Sequence, residues 1–114
     1  KTMNVTDPLL VSRVIQNMLI NACEASEPPE TVLLNTIVTE KEITWEVWNK
    51  KPIPQYIRKR IFQRHFSTKP GKGRGLGTYS MKLFGEHYLG GKVDFTSSLT
   101  DGTCFSFTLP SGQE

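Results

Sequence analysis

Apolar residues recur every four positions at Leu10, Val14, Met18 and Ala22, with Leu9, Val11, Ile15 and Leu19 widening the stripe. That period belongs to an amphipathic helix with a broad buried face. Asp7-Pro8 marks its start, an N-cap followed by proline at the first helical position, and the helix must stop before Pro28-Pro29. The period then shortens. Thr31–Thr39 is β-branched and apolar, Thr39-Glu40-Lys41-Glu42 is a polar turn, and Ile43, Trp45 and Val47 alternate with Thr44, Glu46 and Trp48. The two runs predict a hairpin whose second strand buries one face. Pro52 and Pro54 break the chain before a short helix expected over Gln55–Gln63, with Ile57, Ile61 and Phe62 inward. Ser67–Gly75 holds three glycines and one proline among few large apolar residues, so it reads as a loop, expected to be mobile. A helix follows over Gly77–His87, then Gly90-Gly91, a strand Lys92–Ser97, a turn at Thr100-Asp101-Gly102, and a last strand Thr103–Leu109. In that last strand Cys104, Phe105 and Phe107 are available to the core. Helices separated by hairpins predict an α/β two-layer sandwich, a mixed sheet with helices on one face.

Composition narrows the class. At 114 residues, 37% hydrophobic and 22% charged, the chain suits a single domain, 1–114, and excludes a coiled coil, a collagen or a disordered tail. It opens at Lys1-Thr2-Met3, which suggests a piece of a longer protein. No apolar run approaches the ~20 residues that span a bilayer, and the expected location is the cytoplasm. Cys23 and Cys104 form no disulfide framework and no zinc spacing; two buried thiols are the expectation.

Charge divides the chain. Residues 1–48 carry three Lys/Arg and seven Asp/Glu, net −4, whereas residues 49–114 carry eleven and four, net +7. Arg58, Lys59, Arg60, Arg64, Lys69, Lys72 and Arg74 form a stretch with no acid. Such a cluster attracts an anionic partner, although a solvated basic face has the same composition. No helix-turn-helix, zinc-finger spacing or ribonucleoprotein aromatic pattern accompanies it, so no nucleic-acid partner is expected.

Two constellations carry candidate chemistry. Gly73-Arg74-Gly75-Leu76-Gly77 stands at a loop-to-helix junction. Glycines at that spacing let backbone N–H groups converge on an anion, and the helix terminus behind them adds partial positive charge. A flexible hinge is the competing reading of the same motif. Asn17 and Asn21 lie one turn apart on one helix face, with Glu24 close to it. Their side-chain carbonyls, with phosphate oxygens and water, suit Mg²⁺, which takes few protein ligands. Bonds to backbone, or simple solvation, would explain them equally well.

Together these segments resemble the GHKL ATPases, the group of gyrase, heat-shock chaperone, histidine kinase and mismatch-repair ATPases. RVIQNMLINACEAS (Arg13–Ser26) resembles their N box in its histidine-kinase form, and its Cys-Glu-Ala-Ser looks like the nitrogen-regulation branch. IFQRHFSTK (Ile61–Lys69) resembles the F box, GRGLGTYSMK (Gly73–Lys82) the second glycine box, and GGKVDFTSSLTDGTCFSFTLP the closing hairpin. The resemblance implies the Bergerat fold, with ATP and Mg²⁺ as cofactors. It assigns Asn21 to the metal, Asn17 to assistance at metal and phosphates, and Lys69 to the terminal phosphate. Arg74 and the backbone of Gly73, Gly75, Leu76, Gly77 and Thr78 would hold the nucleotide. The chemistry implied is transfer of the γ-phosphoryl group to a histidine on a dimerisation domain of the same protein, and thence to a response regulator. Neither His65 nor His87 lies in a segment resembling that phosphoacceptor, and no contact of this piece with a membrane is implied.

One box departs from the pattern. Where the family has Asp-x-Gly-x-Gly, this chain reads Asn49-Lys50-Lys51-Pro52-Ile53-Pro54. Asn49 stands at the position that bonds the adenine amino group, and both glycines are missing. A neutral amide accepts more weakly than a carboxylate and can present either of its ends. The alternative function is therefore a degenerate ATP-binding fold acting as a docking or regulatory module.

Overall fold

The computed structural model describes residues 7–63 and 77–110. The first helix, α1 (Pro8–Glu24), starts where Asp7 accepts a hydrogen bond from the Leu9 N–H at 2.9 Å. Val14, Met18 and Ala22 are its buried residues, as their spacing requires. Strands β1 (Leu33–Val38) and β2 (Glu42–Asn49) form the expected hairpin. In its turn the Thr39 hydroxyl oxygen accepts from the N–H groups of Lys41 and Glu42, at 3.2 and 3.0 Å.

The next helix is shorter than its sequence pattern. Helix α2 covers only Gln55–Arg58, and the chain goes on as turns in which Ile61 and Phe62 pack against the core. Helix α3 (Gly77–Lys82) passes into a π-helical turn, Leu83–Tyr88, where the Leu89 N–H reaches the Phe84 carbonyl at 3.0 Å. Gly85 in this turn is buried so closely that a Cβ would come within 2.6 Å of Val93 Cγ2. Strands β3 (Lys92–Ser98) and β4 (Gly102–Pro110) close the chain as a second hairpin.

The strand order is β1-β2-β4-β3, and every pairing among the described strands is antiparallel. The expected mixed sheet is corrected on this point. Each hairpin reverses direction, and β4 runs against both β2 and β3, leaving no parallel neighbour among the described strands. The two-layer sandwich stands: α1 packs on α3 and β2, and the core joins Val14, Met18, Ala22 and Met81 to Val47, Val93, Phe105, Phe107 and Leu109. Trp45 stacks on Phe107 with ring centroids 5.4 Å apart, while Trp48 leaves for the opposite face and donates its indole N–H to the Asp101 carbonyl.

Neither cysteine is buried. Cys23 follows the buried Ala22 on α1 and is turned by about 100° to the exposed side. Cys104 alternates with Phe105 on β4, so it points to the outer face and is half-covered there. Burial, and secondarily the carboxylate of Glu46, push the Cys104 thiol above its usual range. The thiolate is the nucleophile. We expect iodoacetamide to alkylate Cys23 first, with Cys104 following slowly and faster as pH rises; peptide mass mapping of a timed reaction reads the order. No helix among the described residues is long and apolar enough to cross a membrane.

Candidate functional site

The helix-facing side of the sheet is ordered in rows by strand register. Trp45, Phe107 and Val93 form one row across β2, β4 and β3, and Val47, Phe105 and Phe95 form the next. The row after these is Asn49, Thr103 and Ser97. An apolar surface thus turns polar at one end of the sheet, on its covered face. Asn49 and Thr103 are each only 2% exposed. Buried polar groups at such positions need partners.

The partners come from the segment after β2. Ile53 donates its N–H to Ser97 Oγ at 2.7 Å, Ser97 and Thr103 share a hydroxyl–hydroxyl bond at 2.8 Å, and Thr103 donates to the Lys51 carbonyl at 2.8 Å. The proton order follows by elimination. The single Thr103 hydroxyl proton is spent on Lys51, so Ser97 must donate to Thr103. Asn49 Nδ2 donates to the same Lys51 carbonyl at 3.3 Å. Its Oδ1 accepts nothing among the described residues. A buried acceptor left without a donor costs about 1–3 kcal/mol, which a bound donor would recover. The sequence leaves this amide free to present either end; here its amino end donates to the Lys51 carbonyl.

The glycine this corner needs lies on β4 rather than in the altered box. Gly102 has φ of +79°, and a Cβ there would meet the Asn49 carbonyl oxygen at 2.5 Å and that of Lys50 at 3.0 Å. Arg58 donates from Nε to the Ile53 carbonyl at 2.9 Å and braces the other end of the segment.

On α1, Asn17 and Asn21 are both half-buried, one turn apart. Neither side-chain amide has a hydrogen-bond partner among the described residues, so bonding to backbone does not explain them. No group of three or more His, Cys, Asp or Glu side chains gathers among the described residues. Thr78, at the start of α3, is buried and donates its hydroxyl to the Ile61 carbonyl, tying that helix end to the segment after α2. Its hydroxyl proton is committed, which leaves its backbone for ligand contact. Gly77 is the first residue of α3. Lys69, Gly73, Arg74, Gly75 and Leu76 lie outside the described residues, as do His65 and Phe66. His87 is exposed.

Packing of α1 against both α3 and β2 brings together the elements that carry Asn17, Asn21, Thr78 and Asn49. Ser97 and the Lys51 carbonyl were missed by motif reading. Strand register is the signal that finds Ser97, since it sits level with Thr103 and Asn49; no side-chain pattern marks a backbone carbonyl.

The sequence matches the family of histidine kinase-, DNA gyrase B-, and HSP90-like ATPases over residues 6–113. The adaptive-response sensory kinase SasA of Gloeothece citriformis is 32% identical over 110 residues, 91% of this chain but 28% of that kinase. The chain therefore spans little more than a quarter of that relative. The nucleotide-free catalytic domain of histidine kinase ThkA superposes with a TM-score of 0.81 at 28% identity, covering 93% of this chain and 70% of that one. ThkA in complex with the response regulator TrrA gives a TM-score of 0.73 at 25% identity, over 89% of this chain and 28% of that one. With an N-box helix laid across a four-stranded sheet, a polar row at the sheet's covered end and a family match along nearly its whole length, the chain belongs to the histidine kinase-, DNA gyrase B-, and HSP90-like ATPases and has the fold of a histidine kinase catalytic domain.

Proposed function

We propose that this chain is the ATP-binding catalytic domain of a two-component sensor histidine kinase. It would present Mg·ATP for γ-phosphoryl transfer to a histidine on the dimerisation domain of the same protein. A response regulator would receive the group next, in keeping with the ThkA complex with TrrA. We place the domain in the cytoplasm. The observation that carries the reading is the pair Asn17 and Asn21, amides one turn apart on a core-packed helix with no partner among the described residues.

The donor set fits the metal. Two neutral amides, with no carboxylate cluster among the described residues, suit an ion that keeps several waters and takes its remaining ligands from phosphates. Magnesium, when bound, would neutralise charge on the phosphate oxygens as the γ-phosphoryl group leaves. Asn21 would ligate it and Asn17 would hold a water or phosphate oxygen beside it. Gly73, Gly75, Gly77 and Thr78 would offer backbone N–H groups, with Leu76 between them, and Lys69 and Arg74 would offset phosphate charge. The orphaned Asn49 Oδ1 suits a donor at the base edge. Positioning and charge neutralisation are most of what phosphoryl transfer asks of a protein.

The glycine-free box favours one other reading, a docking or regulatory module that no longer binds ATP productively. A thermal-shift series separates the two. Mg·ATP or Mg·ADP should raise the melting temperature, with ~2.7 kcal/mol of stabilisation expected at a hundred times the dissociation constant. No shift at millimolar nucleotide supports the docking module instead.

A further inference from the structure

Helix α3 is fastened along one stripe. Thr78, Met81, Lys82 and Gly85 recur at intervals of three and four, so they share one helix face. Met81 is fully buried in the core and Gly85 is buried against Val93 and Phe107. The other two positions of the stripe are polar, and they reach two neighbouring residues of the segment after α2. Thr78 donates its hydroxyl to the Ile61 carbonyl. Lys82, one turn later, holds its Nζ 4.7 Å from the centroid of the Phe62 ring. We infer that the side chains of Thr78 and Lys82 form a two-point clasp that positions the start of α3 for the phosphate end of the nucleotide. This rests on the nucleotide-binding reading, which gives the backbone of Gly77 and Thr78 phosphate contacts, and it names the side chains that hold that backbone in place. Both side chains are positioning groups, acting through Ile61 and Phe62.

Apolar attraction has no direction, whereas a hydrogen bond and a cation over a ring face do. The far ends of the clasp are held in their turn. The Phe62 ring meets Phe95 and Phe105 of the sheet edge-on, with centroids 5.8 and 6.0 Å away. Lys82 Nζ also lies 3.8 Å from Glu86 Oε1, and Glu86 Oε2 accepts the Val93 N–H at 2.9 Å. The series Phe62, Lys82, Glu86 and Val93 thus ties the segment after α2, α3, the π-helical turn and β3 together. Fold stability alone gives little reason for these polar groups. The Lys82 and Glu86 side chains are 42% and 32% exposed, a setting in which an ion pair adds little. At Thr78, a valine would fill the same space without a hydroxyl. Placement is what the two groups supply. Backbone N–H groups that meet a ligand must be held within about 0.5 Å of their working positions, and residues locked by packing and hydrogen bonds do that.

The test compares a ligand that has phosphates with one that has none. Calorimetry with Mg·ATP and an NMR titration with adenosine give the wild-type ratio of affinities. Thr78→Val keeps the shape and removes the hydroxyl. Its ratio of ATP to adenosine affinity should fall at least fivefold, with adenosine binding changed less than twofold. Lys82→Met should shift the ratio the same way and by less, because Lys82 lies a turn further from Gly77. Thr78→Ser and Lys82→Arg bring back the hydroxyl and the cation, and should return the ratio to within twofold of the wild type. A purely structural role for these residues predicts instead that both ligands weaken together. Equal losses for ATP and adenosine, or an unchanged ratio in Thr78→Val, overturns the clasp while leaving ATP binding in place. Should Thr78→Val fail to melt cooperatively, Lys82→Met, altered at a half-exposed side chain, decides the matter by the same ratio. A wild type that binds no Mg·ATP overturns the functional reading and the clasp with it.

Discussion

Replacing Asn21 by alanine is expected to remove the Mg²⁺ dependence of nucleotide binding while the domain stays folded. Asn21 is half-buried and its side-chain amide bonds to no described residue, so its loss strands no partner. Alanine is also the better helix former, by up to ~0.7 kcal/mol in a helix interior. The stability change should therefore be small. Binding should change much more. Losing even a partner that only orients a metal ligand costs 10–100-fold, and losing the ligand itself should cost about as much or more. Calorimetric affinities for ATP with Mg²⁺ and with EDTA should converge in Asn21→Ala and differ in the wild type. Full Mg²⁺-dependent affinity in the variant would show that the ion is held elsewhere. Asn17→Ala should cause a smaller loss, because its assigned contact is beside the metal.

The largest expected stability effect is at Phe107. Its side chain is fully buried, stacks on Trp45, and lies against the backbone of Gly85 and Gly91. Phe107→Ala removes the ring from the row beneath Val47 and Phe105 and leaves a cavity that α1 and the sheet cannot close. Core Phe-to-Ala changes cost roughly 3–5 kcal/mol. Domains of this size have only about 0.05–0.15 kcal/mol of stability per residue, so this is a large share of the total. A fall in melting temperature of more than about 10 °C should follow in a thermal scan. A smaller fall would mean that the two glycine backbones collapse onto the vacated space.

The elements of the fold could be read from the chain because each carries its own period. The four-residue spacing of Leu10, Val14, Met18 and Ala22 gave α1 and its buried face, and the alternation from Ile43 to Trp48 gave β2. Pairing between distant strands could not be read locally. The antiparallel contact of β2 with β4 depends on which hairpin lies beside which, and it is this contact that sets Asn49 level with Thr103. Alternation also decides the cysteines: grouping Cys104 with Phe105 and Phe107 overlooked that neighbours on a strand face opposite ways. Helix α2 fell short of Gln63 because the chain turns at Lys59 and Arg60 to deliver Ile61 and Phe62 to the core. At the site, amides and glycines were visible by residue type. The surroundings of Asn49 were not, since they are a backbone carbonyl and, behind it, two hydroxyls from other strands.

Every assignment at the proposed site depends on Mg·ATP binding at the α1 amides despite the altered box at Asn49. Isothermal titration of the wild-type domain with Mg·ATP, repeated with ATP in EDTA, tests it most directly. Saturable one-to-one binding is expected, weakening at least tenfold when the metal is withheld. No heat of binding at millimolar Mg·ATP, or the same affinity with and without Mg²⁺, would contradict it.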